Sequence, residues 1–192
     1  MDKLIDDLIK LAFAEDIGDG DHTTLCCIPE TAMGKSQLII KEDGVLAGVE
    51  MAKRIFHDFD PELKMTVFIQ DGAEVKKGDI AFVVEGKIQS LLQTERLMLN
   101  VMQRMSGIAT TTRKYAKALE GTKTHVLDTR KTTPGMRMIE KEAVRIGGGM
   151  NHRIGLFDMI LLKDNHVDFA GGIEQAITRA QNYLKAVSYT HL

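Results

Sequence analysis

Two short runs of consecutive apolar residues in the second half of the chain constrain its fold most strongly. The first, Val126-Leu127, lies within THVLDTRK, and the second, Met159-Ile160-Leu161-Leu162, lies within FDMILLKDNH. Each is followed by a helical pattern, GMRMIEKEAVRIGG in one case and GIEQAITRAQNYLK in the other. Uninterrupted apolar runs are typical of parallel strands that are buried on both faces. The repeated order of strand, loop and helix therefore predicts the start of a βα-barrel or of an open parallel sheet.

This βα pattern ends early. Two βα units cannot close a barrel, and the last residues, KAVSYTHL, contain no further unit. We therefore expect residues 111 to 192 to form the start of an α/β barrel that is incomplete. The final AVSYTHL does not match the next expected strand, and one interpretation is a foreign or misread terminus.

The first 110 residues have a different pattern. Residues 3 to 14 carry a helical apolar stripe that ends before a glycine-rich segment, EDIGDGDHTT, which predicts a loop. Short β-like runs broken by Asp-Gly turns flank a predicted helix, VEMAKRIFHDF. A long helical signal begins near Ser90 and is interpreted as one helix or as two that meet near Ser106-Gly107. We predict an α+β domain with an antiparallel sheet over residues 1 to 110.

Composition and charge exclude several classes of protein. The chain has 192 residues, of which 44% are hydrophobic and 27% charged, as in a soluble globular protein. A formal net charge of −2 argues against a general binder of nucleic acid or of anionic membranes, and no apolar run approaches membrane-spanning length. The first residues match neither a signal peptide nor a transit peptide. The adjacent Cys26 and Cys27 favour a reducing cytoplasm, with both thiols structural or incidental.

Cationic side chains follow both predicted strands. Arg130 and Lys131 end the first, Lys163 ends the second, and His152 and Arg153 precede the second. Ligands of βα folds bind at the carboxyl ends of strands. One Arg-Lys pair in an exposed charged loop would look similar, but three clusters at the same end indicate a site for a small molecule with several negative charges. The guanidinium fork suits carboxylates or phosphates, and the lysine supplies a mobile point charge.

Other candidate features allow more than one interpretation. His152 fits a base, a hydrogen-bond donor or a structural histidine equally well. Asp164 alone is a poor magnesium site unless phosphates share the ion. Arg96 and Arg104 lie on a polar flank of the long helix, where a solvated arginine is usual, and its methionines at i, i+4 and i+7 predict ordinary core. The glycine run GGGMNHR suits close approach to a ligand. No nucleophile-elbow, P-loop or HExxH motif is present in the sequence.

Four segments, in order along the chain, resemble the quinolinate phosphoribosyltransferases, also called nicotinate-nucleotide pyrophosphorylases (carboxylating). They are EDIGDGDHTT, TERLMLN followed by RMSGIAT, DTRKTTPGMRMIEK, and GGGMNHRIGLFDMILLKDNH. The resemblance extends from the first helix to about residue 180. It implies an α/β protein in which an α+β N-terminal sandwich domain, with a long linking helix, precedes a βα-barrel of the phosphoribosyltransferase type.

The resemblance implies transfer of a phosphoribosyl group from phosphoribosyl pyrophosphate to quinolinate, with decarboxylation. The products would be nicotinate mononucleotide, pyrophosphate and CO2, in NAD biosynthesis. It implies a cytoplasmic homodimer or higher homo-oligomer, in which Arg96 reaches a neighbouring subunit, with Mg2+ bound to the donor phosphates. No residue is assigned as a metal ligand. The positions that match the quinolinate and phosphate pocket are Arg96, Thr129, Arg130, Lys131, His152, Arg153 and Lys163.

Within this hypothesis the cations divide between two groups of anions. Arg96, Arg130, His152 and Arg153 would hold the ring carboxylates, and Lys131 and Lys163, the catalytic candidates, would neutralise phosphate oxygens. Members of the family continue with further βα units that carry acidic residues for ribose and Mg2+. We therefore expect this chain alone to be a fragment with an open barrel and little or no turnover.

Three alternatives are kept open. One is the molybdenum-transport-associated paralogue of the same fold, against which LLKDNH argues. Another is a non-catalytic anion-binding module, which would bind ligand without chemistry. A third is a dimerisation scaffold made of the N-terminal sandwich and the long helix.

Overall fold

The computed structural model describes residues 2–187 of the chain. It contains seven helices and five strands over that range. The helices are α1 (Asp2–Ile17), α2 (His22–Cys27), α3 (Val49–Phe59), α4 (Ile88–Ala118), α5 (Arg137–Ile146), α6 (Asp164–Ala170) and α7 (Ile173–Val187). The strands are β1 (Met33–Ile39), β2 (Gly44–Val45), β3 (Lys64–Val67), β4 (Glu74–Val75) and β5 (Ile80–Lys87). The chain divides into two compact units, Met1–Asn151 and His152–Leu192.

The first unit is built on an antiparallel sheet with the strand order β1-β5-β3. The central strand β5 buries consecutive residues, Ala81 to Val84, because it has a strand on each side and helices over it. The short strands β2 and β4 form a second antiparallel pair. The predicted antiparallel sheet is therefore confirmed.

Helices α3 and α4 pack together, and α4 also lies against the sheet, so that the main core forms between them. Phe56 of α3 meets Phe82 of β5 edge to face, with ring centroids 6.3 Å apart. Met98, Met102 and Met105 of α4 are all buried in this core. The prediction that the methionine stripe is ordinary core is confirmed.

Helix α4 is a single helix of 31 residues that passes through Ser106-Gly107 without interruption. The interpretation of two helices is wrong, and hydrogen bonds from α4 to the β2 segment explain why a serine is compatible with a continuous helix here. Ser106 Oγ accepts from Ala47 N at 3.0 Å and donates to Ala47 O at 3.1 Å. Thr110 Oγ1, one turn later, accepts from Val45 N at 2.9 Å. These hydroxyls supply partners for backbone groups that would otherwise be buried without them.

The predicted glycine-rich loop near the N-terminus is shorter than expected. Helix α1 continues to Ile17, and α2 begins at His22, which leaves residues 18–21 between them. Asp21 caps α2, since its Oδ1 accepts from Thr24 N at 3.0 Å. An aspartate at this position stabilises a helix start by pairing a backbone N–H that lacks a helical partner.

The prediction of two buried strands in the second half of the chain is wrong. Only one parallel bridge, Leu127 to Met150, is formed there within the described residues, and Leu127 is 55% exposed. Residues 154–163 contain no helix or strand, and Met159, Ile160 and Leu162 are each 38% exposed. A parallel strand depends on neighbours for its hydrogen bonds and on helices for its burial, and local sequence supplies neither. The helix α6, which was not predicted, begins directly at Asp164.

The helices predicted as VEMAKRIFHDF, GMRMIEKEAVRIGG and GIEQAITRAQNYLK are confirmed as α3, α5 and α7. The predicted domain boundary near residue 110 stays a prediction, and α4 runs through that position. Of the AVSYTHL segment, residues 188–192 lie outside the described part of the chain. No helix within residues 2–187 has the length and hydrophobicity that crossing a membrane requires.

Candidate anion-binding site

The loop 128–135, which carries the DTRKTTPG sequence, is fixed by an ion pair between α4 and α5. Glu140 is buried, and its Oε1 accepts from Arg104 Nε at 2.8 Å and from Arg104 Nη2. Glu140 Oε2 accepts from Thr133 N at 3.3 Å, and Arg104 Nη2 also donates to Thr133 Oγ1 at 2.5 Å. Arg104 is therefore an anchor of the loop. Its side chain is still 39% exposed, so the interpretation as an arginine on a solvated flank holds for its exposure, but that interpretation did not include the ion pair.

A second, more deeply buried ion pair holds the start of the loop. Lys141 Nζ of α5 lies 2.5 Å from Asp128 Oδ1, and the two side chains are only 3% and 7% exposed. With its amide nitrogen turned toward these groups, Asn151 donates to Asp128 Oδ2 at 2.8 Å and to Lys141 O at 2.9 Å. The network joins Asp128, which precedes Thr129, to helix α5 and to Asn151, which precedes His152. It is satisfied by hydrogen bonds, as a buried charge pair requires.

Between these anchors lie the three loop candidates. Thr129 Oγ1 accepts from Lys131 N at 3.1 Å, which turns the backbone so that Lys131 is exposed. Arg130 is half-buried, and its Nε is buried without a hydrogen-bond partner among the described residues. Arg137 of α5 supports the same turn, donating from Nη2 to Arg130 O at 3.4 Å and from Nε to Thr132 Oγ1 at 3.1 Å.

An unpaired guanidinium N–H is costly when it is buried, because it has lost water without gaining an acceptor. A carboxylate or phosphate oxygen is the acceptor that a guanidinium binds best. The Arg130 side chain is thus a donor whose hydrogen-bonding capacity is incompletely used by the protein itself.

The second unit holds the other candidates, which the structure places as follows. His152 Nδ1 accepts from Arg153 N at 2.7 Å, so a neutral His152 ring carries its hydrogen on Nε2, where it is a donor. Arg153 is buried, and its Nη1 donates to Met159 O at 3.0 Å. Asp158 closes this turn by accepting from Ile154 N at 2.7 Å and from Gly155 N at 2.8 Å.

Lys163 and Arg96 lie at exposed positions on or beside helices. Lys163 immediately precedes α6, and its backbone N–H donates to His166 Nδ1 at 3.0 Å. Lys163 is exposed. Arg96 is exposed on α4. Both positions are accessible to a ligand or to another subunit.

The glycine run has a packing role that differs from the expected close approach to a ligand. A Cβ on Gly147 would lie 2.6 Å from Ala109 O and 2.7 Å from Thr112 Cβ, and one on Gly149 would lie 2.7 Å from Val144 Cγ1. The absence of side chains therefore lets the end of α5 approach α4. Gly148 has φ +94°, a conformation that favours glycine.

Comparison with known families decides the affiliation. Residues 21–106 match the family described as quinolinate phosphoribosyl transferase, N-terminal domain, and residues 108–190 match its C-terminal domain. The chain belongs to the quinolinate phosphoribosyltransferase family. This confirms the resemblance of the four sequence segments.

Individual relatives within the quinolinate phosphoribosyltransferase family agree. Quinolinate phosphoribosyltransferase [decarboxylating] 1 of Nicotiana glauca is 48% identical over 179 residues, which is 93% of this chain and 51% of the relative. The crystal structure of NadC from Streptococcus pyogenes superposes with a TM-score of 0.89 at 42% identity, covering 95% of this chain and 65% of that one. Nicotinate-nucleotide pyrophosphorylase from Francisella tularensis gives 0.88 at 38% identity, with 99% and 66% covered. This chain spans about half the length of the curated relatives it matches. The α/β fold class is confirmed by these structures.

Sequence reasoning did not recognise that six residues hold the loop 128–135 in place. They are Arg104, Glu140, Asp128, Lys141, Asn151 and Arg137. The available signal was weak: Glu140 and Lys141 follow Ile139 directly on a predicted amphipathic helix, at its apolar edge. Hydropathy classes both as surface residues, and only the spatial partner reveals that they are buried.

Proposed function

We propose that the protein represented by this chain transfers a phosphoribosyl group from phosphoribosyl pyrophosphate to the ring nitrogen of quinolinate. Decarboxylation would follow, and the products would be nicotinate mononucleotide, pyrophosphate and CO2, in NAD biosynthesis. The observation that carries the proposal is the buried Nε of Arg130, which has no hydrogen-bond partner within residues 2–187. Arg130 lies on a loop held by two ion pairs, in a chain of this family. Quinolinate has two carboxylates and the donor has several phosphates, so both substrates require fixed cations.

We assign a role to each predicted site residue from its surroundings within its own unit. In the first unit, the Arg130 guanidinium would bind a ring carboxylate through paired N–H donors, and the exposed Lys131 would neutralise phosphate oxygens. In the second unit, His152 would donate from Nε2, and Lys163 would supply a second mobile charge for phosphate. Arg153 and Thr129 would act chiefly by shaping the loops that carry these groups, since both are engaged in the protein.

The chemistry needs no protein nucleophile. Departure of pyrophosphate leaves positive charge on the ribose, and cations that stabilise the leaving phosphates lower that barrier. After transfer, the positively charged ring nitrogen accepts the electrons released with CO2. Placement of quinolinate against the sugar by fixed cations would supply much of the rate.

Mg2+ is proposed as an ion carried with phosphoribosyl pyrophosphate. No group of three or more His, Cys, Asp or Glu side chains within residues 2–187 is arranged to hold a metal. Magnesium in phosphate-transfer sites often takes its ligands mainly from phosphates and water, so the proposal needs no dedicated protein cage for the ion. When bound, the ion would add charge neutralisation of the pyrophosphate.

A homodimer or higher homo-oligomer, with Arg96 contributed across the interface, is part of the proposal. The exposed position of Arg96 on α4 supports it. A reducing compartment, the cytoplasm, is proposed because Cys26 and Cys27 are both free thiols.

The test is calorimetric titration of quinolinate, with nicotinate as the ligand that lacks one carboxylate. We expect quinolinate to bind more tightly, and Arg130→Ala to weaken quinolinate binding by about 1.5 to 3 kcal/mol, the range for a hydrogen bond to a charged group. Lys123→Ala is the matched control, because it removes an exposed cation of the same unit outside the loop. Equal binding of the two ligands, or equal loss in both variants, would contradict the proposal.

The reaction itself is tested on a chain extended to the length of its relatives. Formation of nicotinate mononucleotide from quinolinate and phosphoribosyl pyrophosphate is expected. Quinolinate binding without product would instead favour the non-catalytic anion-binding module, and a preference for other anionic aromatics would favour the paralogue.

A further inference from the structure

Helix α2 ends in two neighbouring thiols whose sulfur atoms face each other. Cys26 Sγ and Cys27 Sγ are 3.4 Å apart, and both residues are exposed free cysteines. Successive residues of a helix ordinarily point about 100° apart around its axis, so such an approach is unusual for neighbours. The pair lies outside the candidate anion-binding site, and the proposed chemistry does not use it.

The surrounding contacts hold this end of α2 in place. Cys26 Sγ donates to Thr23 O at 3.3 Å, and the buried Thr24 receives the helix-ending bond from Ile28 N at 2.9 Å. Gln89 Nε2 of α4 donates to Ile28 O at 2.7 Å. The sulfur atoms are therefore presented at the surface from a segment that is tied to the core.

The geometry suits chelation better than a disulfide. Neighbouring Cα atoms are about 3.8 Å apart, below the range of roughly 4.4 to 6.8 Å that disulfides use, and the sulfurs would have to close to about 2.05 Å. With sulfur–ion bonds of about 2.3 Å, a separation of 3.4 Å corresponds to an angle of about 95° at the ion. A tetrahedral ion would need sulfurs about 3.8 Å apart at the same bond length. The narrower angle fits a pyramidal three-coordinate centre.

We propose that Cys26 and Cys27 form a vicinal dithiol site that chelates trivalent arsenic compounds of the type R–As(OH)2. Two As–S bonds form and two As–O bonds break. Each thiol proton leaves with one hydroxide, so that two waters are released. Arsenic remains trivalent, and no oxidant or reductant takes part. The third substituent, R, completes the pyramidal centre, which requires no further protein ligand.

The experiment titrates the reduced chain with phenylarsine oxide and follows free thiols and intact mass. We expect one phenylarsenic group per chain, loss of both thiols, and resistance to an excess of a monothiol together with release by a dithiol. Cys26→Ser and Cys27→Ser each keep one thiol and are expected to bind about 100-fold more weakly, since the second bond of a chelate forms intramolecularly. The proposal would be overturned if either serine variant bound phenylarsine oxide as tightly as the wild-type chain, or if the wild-type chain carried two phenylarsenic groups.

Thermal unfolding tests whether the fold aligns the sulfurs. We expect phenylarsine oxide to raise the Tm of the wild-type chain and to leave both serine variants unchanged, because a ligand that prefers the folded form stabilises it. An unchanged Tm in the wild-type chain with the chelate formed would show that α2 contributes no alignment, and would overturn the structural part of the proposal.

Discussion

The buried pair of Lys141 and Asp128 shows how much a single charged residue can contribute to one loop. Removing one residue deprives the other buried charge of its opposite charge, whereas removing both leaves no buried charge at this position. We expect Asp128→Asn or Lys141→Met alone to lower the free energy of unfolding by about 3 to 5 kcal/mol, measured by urea denaturation. Replacing both residues by apolar ones should recover most of that loss.

The control for this prediction is Glu142→Ala, in the half-exposed pair of Glu142 with Arg145 on the same helix. Because solvent screens that pair, we expect a loss below about 1 kcal/mol. A similar loss in Glu142→Ala and Asp128→Asn would show that burial does not distinguish the two pairs.

We predict opposite effects on the free energy of unfolding when Gly147 and Gly107 are replaced by alanine. Gly147→Ala should cost about 1 to 3 kcal/mol in unfolding free energy, because its Cβ would overlap Ala109 O of α4. Gly107 lies inside α4, and beyond the helix's own nearby backbone no described atom lies within 4 Å of the added Cβ, so Gly107→Ala should stabilise by up to about 1 kcal/mol. Thermal or urea unfolding of both variants checks the pair, and the same sign in both would contradict the packing described for the glycine run.

At the scale of elements, the end of α3 and the start of α4 are joined by one hydrogen-bonded carboxylate. Ser90 Oγ donates to Asp60 Oδ2 at 2.6 Å, which, with the backbone N–H of Glu62, holds the pKa of the Asp60 carboxyl below its usual value. The folded pKa is thus below the unfolded one. The stability it provides is present above the unfolded pKa of about 3.9 and is lost as pH falls through the folded pKa.

We therefore expect Asp60→Asn to be less stable than the wild-type chain at neutral pH, by about 1 kcal/mol or less because the carboxylate is only partly buried. The difference should shrink as the pH is lowered below about 4, since protonation removes the same charge. Urea denaturation midpoints of both chains at several pH values measure this stability difference. A difference that does not shrink as the pH falls below about 4 would contradict the role given to the Asp60 charge.

Elements differed in how far the sequence could predict them, for physical reasons. The helices α3, α5 and α7 were predicted because amphipathic periodicity is local and each helix satisfies its own backbone. The strands around Leu127 and Ile160 were predicted from apolar runs alone, and the described chain lacks the neighbours that would pair them. At the site, Arg130 and Lys131 were recognisable by type and position, whereas Arg104 with Glu140, 36 residues apart, are paired only by the fold.

At the scale of the whole molecule, exposure differs between the segments that lack helix and strand. Leu156 and Phe157 are 73% and 70% exposed and lie in residues 154–163 of the second unit. The loop 128–135 of the first unit is instead held by its two ion pairs. We expect brief chymotrypsin digestion to cut first after Leu156 or Phe157, because proteases need an unfolded and accessible segment.

Tyr115 is the internal control, since it is 63% exposed but lies within α4. Mass spectrometry of the early fragments identifies the first cut. Early cleavage at Tyr115 would contradict the stability assigned to the first unit. The dimerisation-scaffold alternative predicts cleavage that concentrates after about residue 120.

The two ion pairs that hold the DTRKTTPG loop also determine when its conformational entropy is lost. Arg104 with Glu140 and Lys141 with Asp128 order the loop as the chain folds, before any ligand arrives. A ligand of Arg130 then meets a surface that needs little further ordering, and its affinity is not reduced by that cost. Variation in these anchors should therefore alter ligand affinity without altering any residue that touches the ligand.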